Sequence, residues 1–124
     1  MKEEGLLVLK IPGKPEFVGV VRLAISGLAS RLKFSYEDVE DLKLAVAEAC
    51  SHAIAHGKGQ DISIECKVQN SALYVSVSDK GEDHQDQEED MGIFLIRSLM
   101  DEVHYQKVEN EGCMLCMIKH FKPQ

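Results

Sequence analysis

The sequence is poor in basic residues and lacks a long hydrophobic run. Its 14 lysines and arginines stand against 21 aspartates and glutamates, giving a formal net charge of −7. This charge argues against direct binding to nucleic acid and favours a protein or cationic partner. The N-terminal apolar run ends at Lys10, so we expect neither a signal peptide nor a membrane span. Without export, the four cysteines are expected to be reduced thiols in the cytoplasm.

Repeats and low-complexity linkers are also missing, and only one closely spaced cysteine pair is present. A length of 124 residues with 44% hydrophobic residues predicts one folded domain, residues 1–124. Cys113 and Cys116 have a metal-type or redox-type spacing. However, they lie in a predicted strand, where an odd separation places two thiols on opposite faces. We therefore interpret both as packing residues.

Hydrophobic spacing predicts one strand and two helices in the first half of the chain. The strand covers residues 6–11 and is ended by Pro12 and Gly13. Ser35 and Asp38 predict a capping box at the start of the second helix, and Gly57 its end. The first helix is predicted over residues 16–32, with apolar spacing at Phe17, Val20, Val21, Leu23, Ala24, Leu28 and Leu32.

The second half predicts a hairpin, an acidic loop, a helix and a second hairpin. The segments "DISIECKV" and "ALYVSVSD" alternate apolar and polar residues around "QNS". Residues 82–90 contain six acids and are expected to form an exposed loop. A helix over 91–103 would place Met91, Leu95, Leu99 and Val103 on one face, and a hairpin turning at Asn110, Glu111 and Gly112 would follow. We predict an α/β (α+β) two-layer sandwich, with a mixed, mainly antiparallel sheet and three helices on one face.

Three ionisable side chains interrupt the apolar stretch "LAVAEACSHAIAHG" at residues 44–57. Glu48, His52 and His56 are four residues apart and share one helix face. An acid and two imidazoles could hold a transition metal such as Zn²⁺. The simpler interpretation is a hydrogen-bonded His52 lining a pocket.

The phrases "EDLKLAVAEACSHAIAHG", "VSDKG" and "MGIFLIRSLMDEV", with the order of elements, resemble the RsbW-type anti-sigma factors over about residues 5–121. These are small serine kinases of the superfamily that includes histidine kinases, gyrase B, Hsp90 and MutL. The resemblance implies the histidine-kinase-like ATPase fold, with ATP and Mg²⁺ as cofactors. It also implies a homodimer and, as partners, a sigma factor and an anti-anti-sigma protein.

The resemblance assigns a role to five residues of the nucleotide site. Glu48 matches the family's proposed general base. Asp79 and Gly81 match the D-x-G box, whose aspartate accepts a hydrogen bond from the adenine amino group. Gly92 matches a glycine at the phosphates, and His52 stands where the family has an asparagine that binds magnesium.

Several positions depart from the family pattern. Mg²⁺ prefers oxygen ligands, and the imidazole of His52 offers only nitrogen. Asp90 replaces the first glycine of the phosphate box, and Met114 is aligned with a family threonine. The loop at 82–90 is short, and its acids would repel a triphosphate; it is either a solvated loop or a contact surface for a basic partner.

These observations support three hypotheses. The first is a cytoplasmic anti-sigma-like partner-switching regulator whose nucleotide binding is weakened or lost. The second is an active serine kinase that phosphorylates an anti-anti-sigma protein, and the third is a small-ligand-sensing module. Arg22 in the first helix is a candidate partner contact by resemblance, or else a solvent-exposed arginine.

Overall fold

Two helices separate the first strand from the second, and the other strands form two pairs. The computed structural model describes residues 4–81, 91–108 and 112–122. A 3-10 turn at Pro15–Phe17 precedes the first helix. The helices and strands are β1 (Glu4–Ile11), α1 (Val18–Ala29), α2 (Tyr36–His56), β2 (Ile62–Gln69), β3 (Ala72–Asp79), α3 (Met91–Leu99), β4 (Glu102–Val108) and β5 (Gly112–His120).

The strands form one five-stranded sheet in the order β1-β2-β3-β5-β4. All four pairings between them are antiparallel. The described sheet is therefore wholly antiparallel, whereas the prediction was a mixed, mainly antiparallel sheet. The predicted two-layer sandwich is confirmed: α2 packs on β2 and β3 and lies between α1 and α3. No helix in the described part of the chain is long and apolar enough to cross a membrane.

The predicted hairpin between β2 and β3 is confirmed. Gln69 pairs with Ala72, which leaves Asn70 and Ser71 as a two-residue turn. Their φ angles of 53° and 60° are those of a type I′ turn, whose twist matches the flanking strands. The predicted turn at Asn110 and Glu111 lies outside the described residues, as does the acidic loop 82–90, although β4 and β5 pair as expected.

Helix α1 buries only part of the predicted apolar set: Val21 is in the core, and Phe17, Leu28 and Leu32 pack against it. Val21, Ile25 and Ala29 are fully buried, whereas Val20 and Leu23 are 51% and 76% exposed. The buried residues are spaced by four, so a narrower stripe than predicted contacts α2. The helix also ends at Ala29, three residues before the predicted end at Leu32.

Helix α3 is shorter than predicted, and its buried face is also different. Ile93 and Ile96 are buried, while Met91 is 79% exposed. The helix ends at Leu99, and Val103 is a buried residue of β4 instead of a helical one. The cause is tertiary: the Asp101 N–H donates to the Ile118 carbonyl of β5 at 3.0 Å, which starts a strand pairing where the local pattern would continue the helix.

Helix α2 begins and ends where predicted. The Ser35 hydroxyl accepts from the Asp38 N–H at 3.1 Å, which confirms the N-terminal cap. Gly57 is the C-terminal cap residue, but its φ of −86° is not left-handed. Its small size is required for packing instead, because an added Cβ would lie 2.8 Å from the Ala53 carbonyl oxygen.

A buried lysine of the sheet contacts the C-terminus of α3 and the N-terminal part of α2. Lys119 of β5 is 8% exposed, and its Nζ donates to the Leu99 carbonyl at 2.6 Å. The same ammonium group lies 3.8 Å from Asp38 and 3.9 Å from Asp41 of α2. The C-terminus of α3 and the first turns of α2 therefore share one cationic partner.

Candidate functional site

The predicted polar stripe is present on α2 and becomes more buried towards the middle of the stripe. Glu48 and His56 are partly exposed, and His52 is 8% exposed. Glu48 has no hydrogen-bond or ion-pair partner among the described residues. The stripe thus offers one accessible carboxylate one helical turn before a buried imidazole.

The two histidines are packed together at the C-terminal end of α2. Their ring centroids are 4.4 Å apart, with the ring planes inclined by 35°. His56 Nδ1 lies 2.9 Å from the His52 carbonyl oxygen, so Nδ1 carries the proton, because a carbonyl can only accept. The ring of Tyr105 from β4 meets His52 edge-on, with centroids 6.4 Å apart. His52 therefore fills the space between α2 and the sheet.

Asp79 ends β3 beneath the C-terminus of α2. It is 5% exposed, and its Oδ1 accepts a hydrogen bond from the Gly81 N–H at 2.7 Å. This bond closes a local turn over the D-x-G box, as short aspartate side chains commonly do. The structure thus brings the two predicted residues of this box together around one buried carboxylate.

Two glycines lie against Asp79. The sequence predicted them only as the end of a helix and as part of a hairpin turn. An added Cβ at Gly57 would lie 3.5 Å from Asp79 Cβ. Gly112 has a φ of +103°, and an added Cβ would collide with the Asp79 carbonyl oxygen. Any larger side chain at Gly112 would be strained and would displace the Asp79 backbone. These two glycines are positioning residues for Asp79.

The strand register corrects the assignment of Met114. Asp79 pairs with Cys113, and Met114 pairs with Ser78. Directly opposed residues of an antiparallel pair project to the same face. Cys113, 2% exposed, therefore lies on the Asp79 face, with its Sγ 3.8 Å from the Gly81 carbonyl oxygen, and Met114 lies on the opposite face. Only knowledge of the register reveals this.

The remaining predicted residues lie at the edges of the site or elsewhere. Gly92 is the second residue of α3, which packs beside α2. Arg22 is exposed on α1, on the other side of α2. Asp90 lies outside the described residues.

The predicted alternative of a metal site concerns the stripe on α2 and the closely spaced cysteines of β5. Over the described ranges, no group of three or more His, Cys, Asp or Glu side chains is placed to hold a metal ion. Cys113 is buried and Cys116 partly buried, on opposite faces as predicted for packing residues. Burial also raises the pKa of the Cys50 thiol to about 12 and that of the Cys66 thiol to about 11. These two core thiols therefore stay protonated and unreactive at neutral pH.

Comparison with known proteins gives the class first. Residues 11–119 match the family model of the histidine kinase-like ATPase domain. A solved structure of the RsbU and RsbW domains of a Mycobacterium tuberculosis protein superposes with a TM-score of 0.78 at 17% identity. The match covers 97% of this chain and 34% of that one, and it shows the likeness of fold alone.

The curated relatives define the family more narrowly. The chain is 38% identical to the serine-protein kinase RsbW of Bacillus pumilus, over 92% of this chain and 85% of the relative. It is 35% identical to that of Bacillus subtilis, over 90% and 83%. For Listeria monocytogenes the identity is 39%, over 92% and 86%. The chain belongs to the RsbW family of serine-protein kinases within the histidine kinase-like ATPase fold.

Of the family's two cofactors, ATP and Mg²⁺, the residues present fit the adenine of ATP and do not fit the metal ion. Asp79 offers a buried carboxylate, held by the Gly81 N–H, which suits an adenine amino group. At His52, which the resemblance aligns with the family's magnesium ligand, the side chain is an imidazole packed against a second histidine. Nitrogen is a poor ligand for this hard cation, so the described residues do not fit Mg²⁺ at His52.

Proposed function

We propose that this chain is a cytoplasmic RsbW-type partner-switching regulator, in which adenine recognition is kept and metal-dependent nucleotide binding is weakened. The observation that carries this proposal is the buried, stacked His52 at the position of the family's magnesium ligand. The six acids at residues 82–90 add negative charge directly after the D-x-G box in the sequence. A nucleotide would therefore lose affinity at its phosphates more than at its base.

Titration calorimetry with ATP and ADP, each with and without Mg²⁺, tests this proposal. We expect weak binding that magnesium does not improve. His52→Asn should restore a magnesium-dependent gain, larger when combined with Asp90→Gly, and His56→Asn is the matched control that should not. Tight magnesium-dependent binding by the unmodified chain would contradict the proposal.

A second candidate function is active serine phosphorylation of an anti-anti-sigma protein, with Glu48 as general base. It is favoured by the accessible carboxylate of Glu48 and by the intact Asp79–Gly81 turn. Transfer of labelled γ-phosphate to candidate anti-anti-sigma proteins would distinguish the two functions. Transfer that is lost in Glu48→Gln would establish the kinase.

The proposed partner surface is the outer face of α1. Arg22 and Leu23 are exposed there, and Cβ atoms added at Gly19 and Gly27 would meet nothing within 4 Å. Glycine costs about 1 kcal/mol relative to alanine inside a helix, and no internal contact of α1 requires it at either position. We infer that this flat face contacts a sigma factor or an anti-anti-sigma protein through Arg22, and that the chain forms a homodimer. Pull-down with Arg22→Ala tests the partner contact, and gel filtration tests the homodimer.

A further inference from the structure

A recess on the helix-free face of the sheet has no role in the site described above. Its volume is about 380 Å³, and it is lined by Lys10, Gln60, Asp61, Ser63 and Lys80. Ile62 and Ile64 are fully buried in the core, so Ser63 between them points away from the helices. Lys10 pairs with Ser63 and precedes the buried Ile11, which places its side chain on the same face.

Three separate segments fix the walls of this recess. β1 supplies Lys10, and the residue after β3 supplies Lys80. The segment that runs from the α2–β2 loop into β2 supplies Gln60, Asp61 and Ser63. The Gln60 N–H donates to the Gly57 carbonyl at 3.1 Å. On its other side, Gln60 packs so closely on Gly13 that a Cβ there would collide with its carbonyl oxygen. The Gln60 backbone on one wall of the recess is therefore held by contacts on both sides.

The described lining of the recess is basic, although the chain as a whole is acidic. Within the described ranges, neither Lys10 nor Lys80 forms an ion pair, although the chain has seven more acids than bases. Asp61 is the one carboxylate of the lining, against two ammonium groups. The Gln60 amide and the Ser63 hydroxyl add uncharged donors. The lining thus has a net charge of +1 and an excess of hydrogen-bond donors.

We propose that this recess binds a phosphate monoester. A phosphate monoester is a compact dianion whose oxygens accept hydrogen bonds, which suits two ammonium groups with a hydroxyl and an amide. A neutral ligand would leave the net charge of +1 uncompensated, and the same positive charge disfavours a cationic ligand. The volume also leaves room for part of the group that carries the phosphate. The ligand could be a phosphoserine of a partner protein or a free phosphorylated metabolite.

Amide chemical shifts of the full-length chain test this proposal directly. The chain is titrated with inorganic phosphate and, separately, with a phosphoserine peptide. We expect saturable shifts at the amides of Gln60, Asp61 and Ser63. Lys10→Gln and Lys80→Gln should each weaken binding by about two- to fivefold, as expected for a solvent-exposed charge contact. Lys67→Gln is the matched control, because Lys67 is an exposed lysine on the same face of β2 outside the recess.

Each outcome has a defined meaning. Tighter binding of the peptide identifies a partner's phosphoserine as the ligand, and equal binding identifies the free phosphate group. Shifts that do not saturate, or that Lys10→Gln and Lys80→Gln leave unchanged, would show an adventitious ion only and overturn the proposal. Both lysines are exposed, so we expect neither substitution to disturb the fold, and unchanged amide spectra elsewhere verify this. No nucleotide is used, so the result is independent of the proposed function.

Discussion

The buried ammonium group of Lys119 makes a measurable contribution to stability. We predict that Lys119→Met lowers the free energy of unfolding by about 2 kcal/mol. The largest part is the hydrogen bond to the Leu99 carbonyl at 2.6 Å, because a bond from a charged donor contributes about 1.5–3 kcal/mol. The carboxylates of Asp38 and Asp41 are 37% and 35% exposed, so solvent screening limits each ion pair to less than about 1 kcal/mol.

Methionine isolates this contribution because it keeps an unbranched apolar stem of similar length. Urea unfolding followed by circular dichroism gives the change in free energy, and a thermal melt should show a decrease of about 8 °C. Lys122→Met is the matched control, since Lys122 is exposed and close in sequence. A loss below about 0.5 kcal/mol, or an equal loss in the control, would refute the role given to Lys119.

Two further predictions concern the glycines and the core thiols. Gly27→Ala should raise the free energy of unfolding by about 0.5–1 kcal/mol, because a Cβ there meets nothing within 4 Å, whereas Gly112→Ala should lower it by about 2 kcal/mol or more. Chemical denaturation measures both, and equal signs would contradict the packing described. Stability should also fall between pH 9 and pH 11, because unfolded thiols lose their protons above the ordinary pKa of 9.0 while folded Cys50 and Cys66 keep theirs up to about 12 and 11. The slope should approach about 1.4 kcal/mol per pH unit for each thiol and disappear in Cys50→Ala with Cys66→Ala; a slope unchanged by these substitutions would show that other groups cause it.

The sequence predicted the order of elements because each element carries its own local pattern. The Ser35 cap, the Asn70–Ser71 turn and the alternation in β2 and β3 depend on neighbouring residues only. The end of α3 does not, because Leu99 and Asp101 are bonded to β5, some 20 residues later in the chain. The buried faces of α1 and α3 likewise follow from packing against α2.

The candidate site likewise contains residues that the local sequence identifies and residues that only the fold brings together. Glu48, His52 and the D-x-G box are recognisable from spacing and resemblance, since each lies within one element. Gly112 and the thiol of Cys113 meet Asp79 only through the pairing of β3 with β5, and Gly57 meets it only through the packing of the C-terminus of α2 on the end of β3. Strand register and helix packing are both properties of the folded chain, so no local pattern could have identified these three neighbours of the carboxylate.

The position of β5 has a consequence for synthesis of the chain. β5 is the last described strand in the chain, yet it lies inside the sheet between β3 and β4. Until its residues have left the ribosome, β3 has one open edge and β4 has no partner in the sheet. Until β5 is available, the nascent chain therefore exposes three unpaired strand edges, one on β3 and two on β4, which is the stage when a chaperone would be most useful.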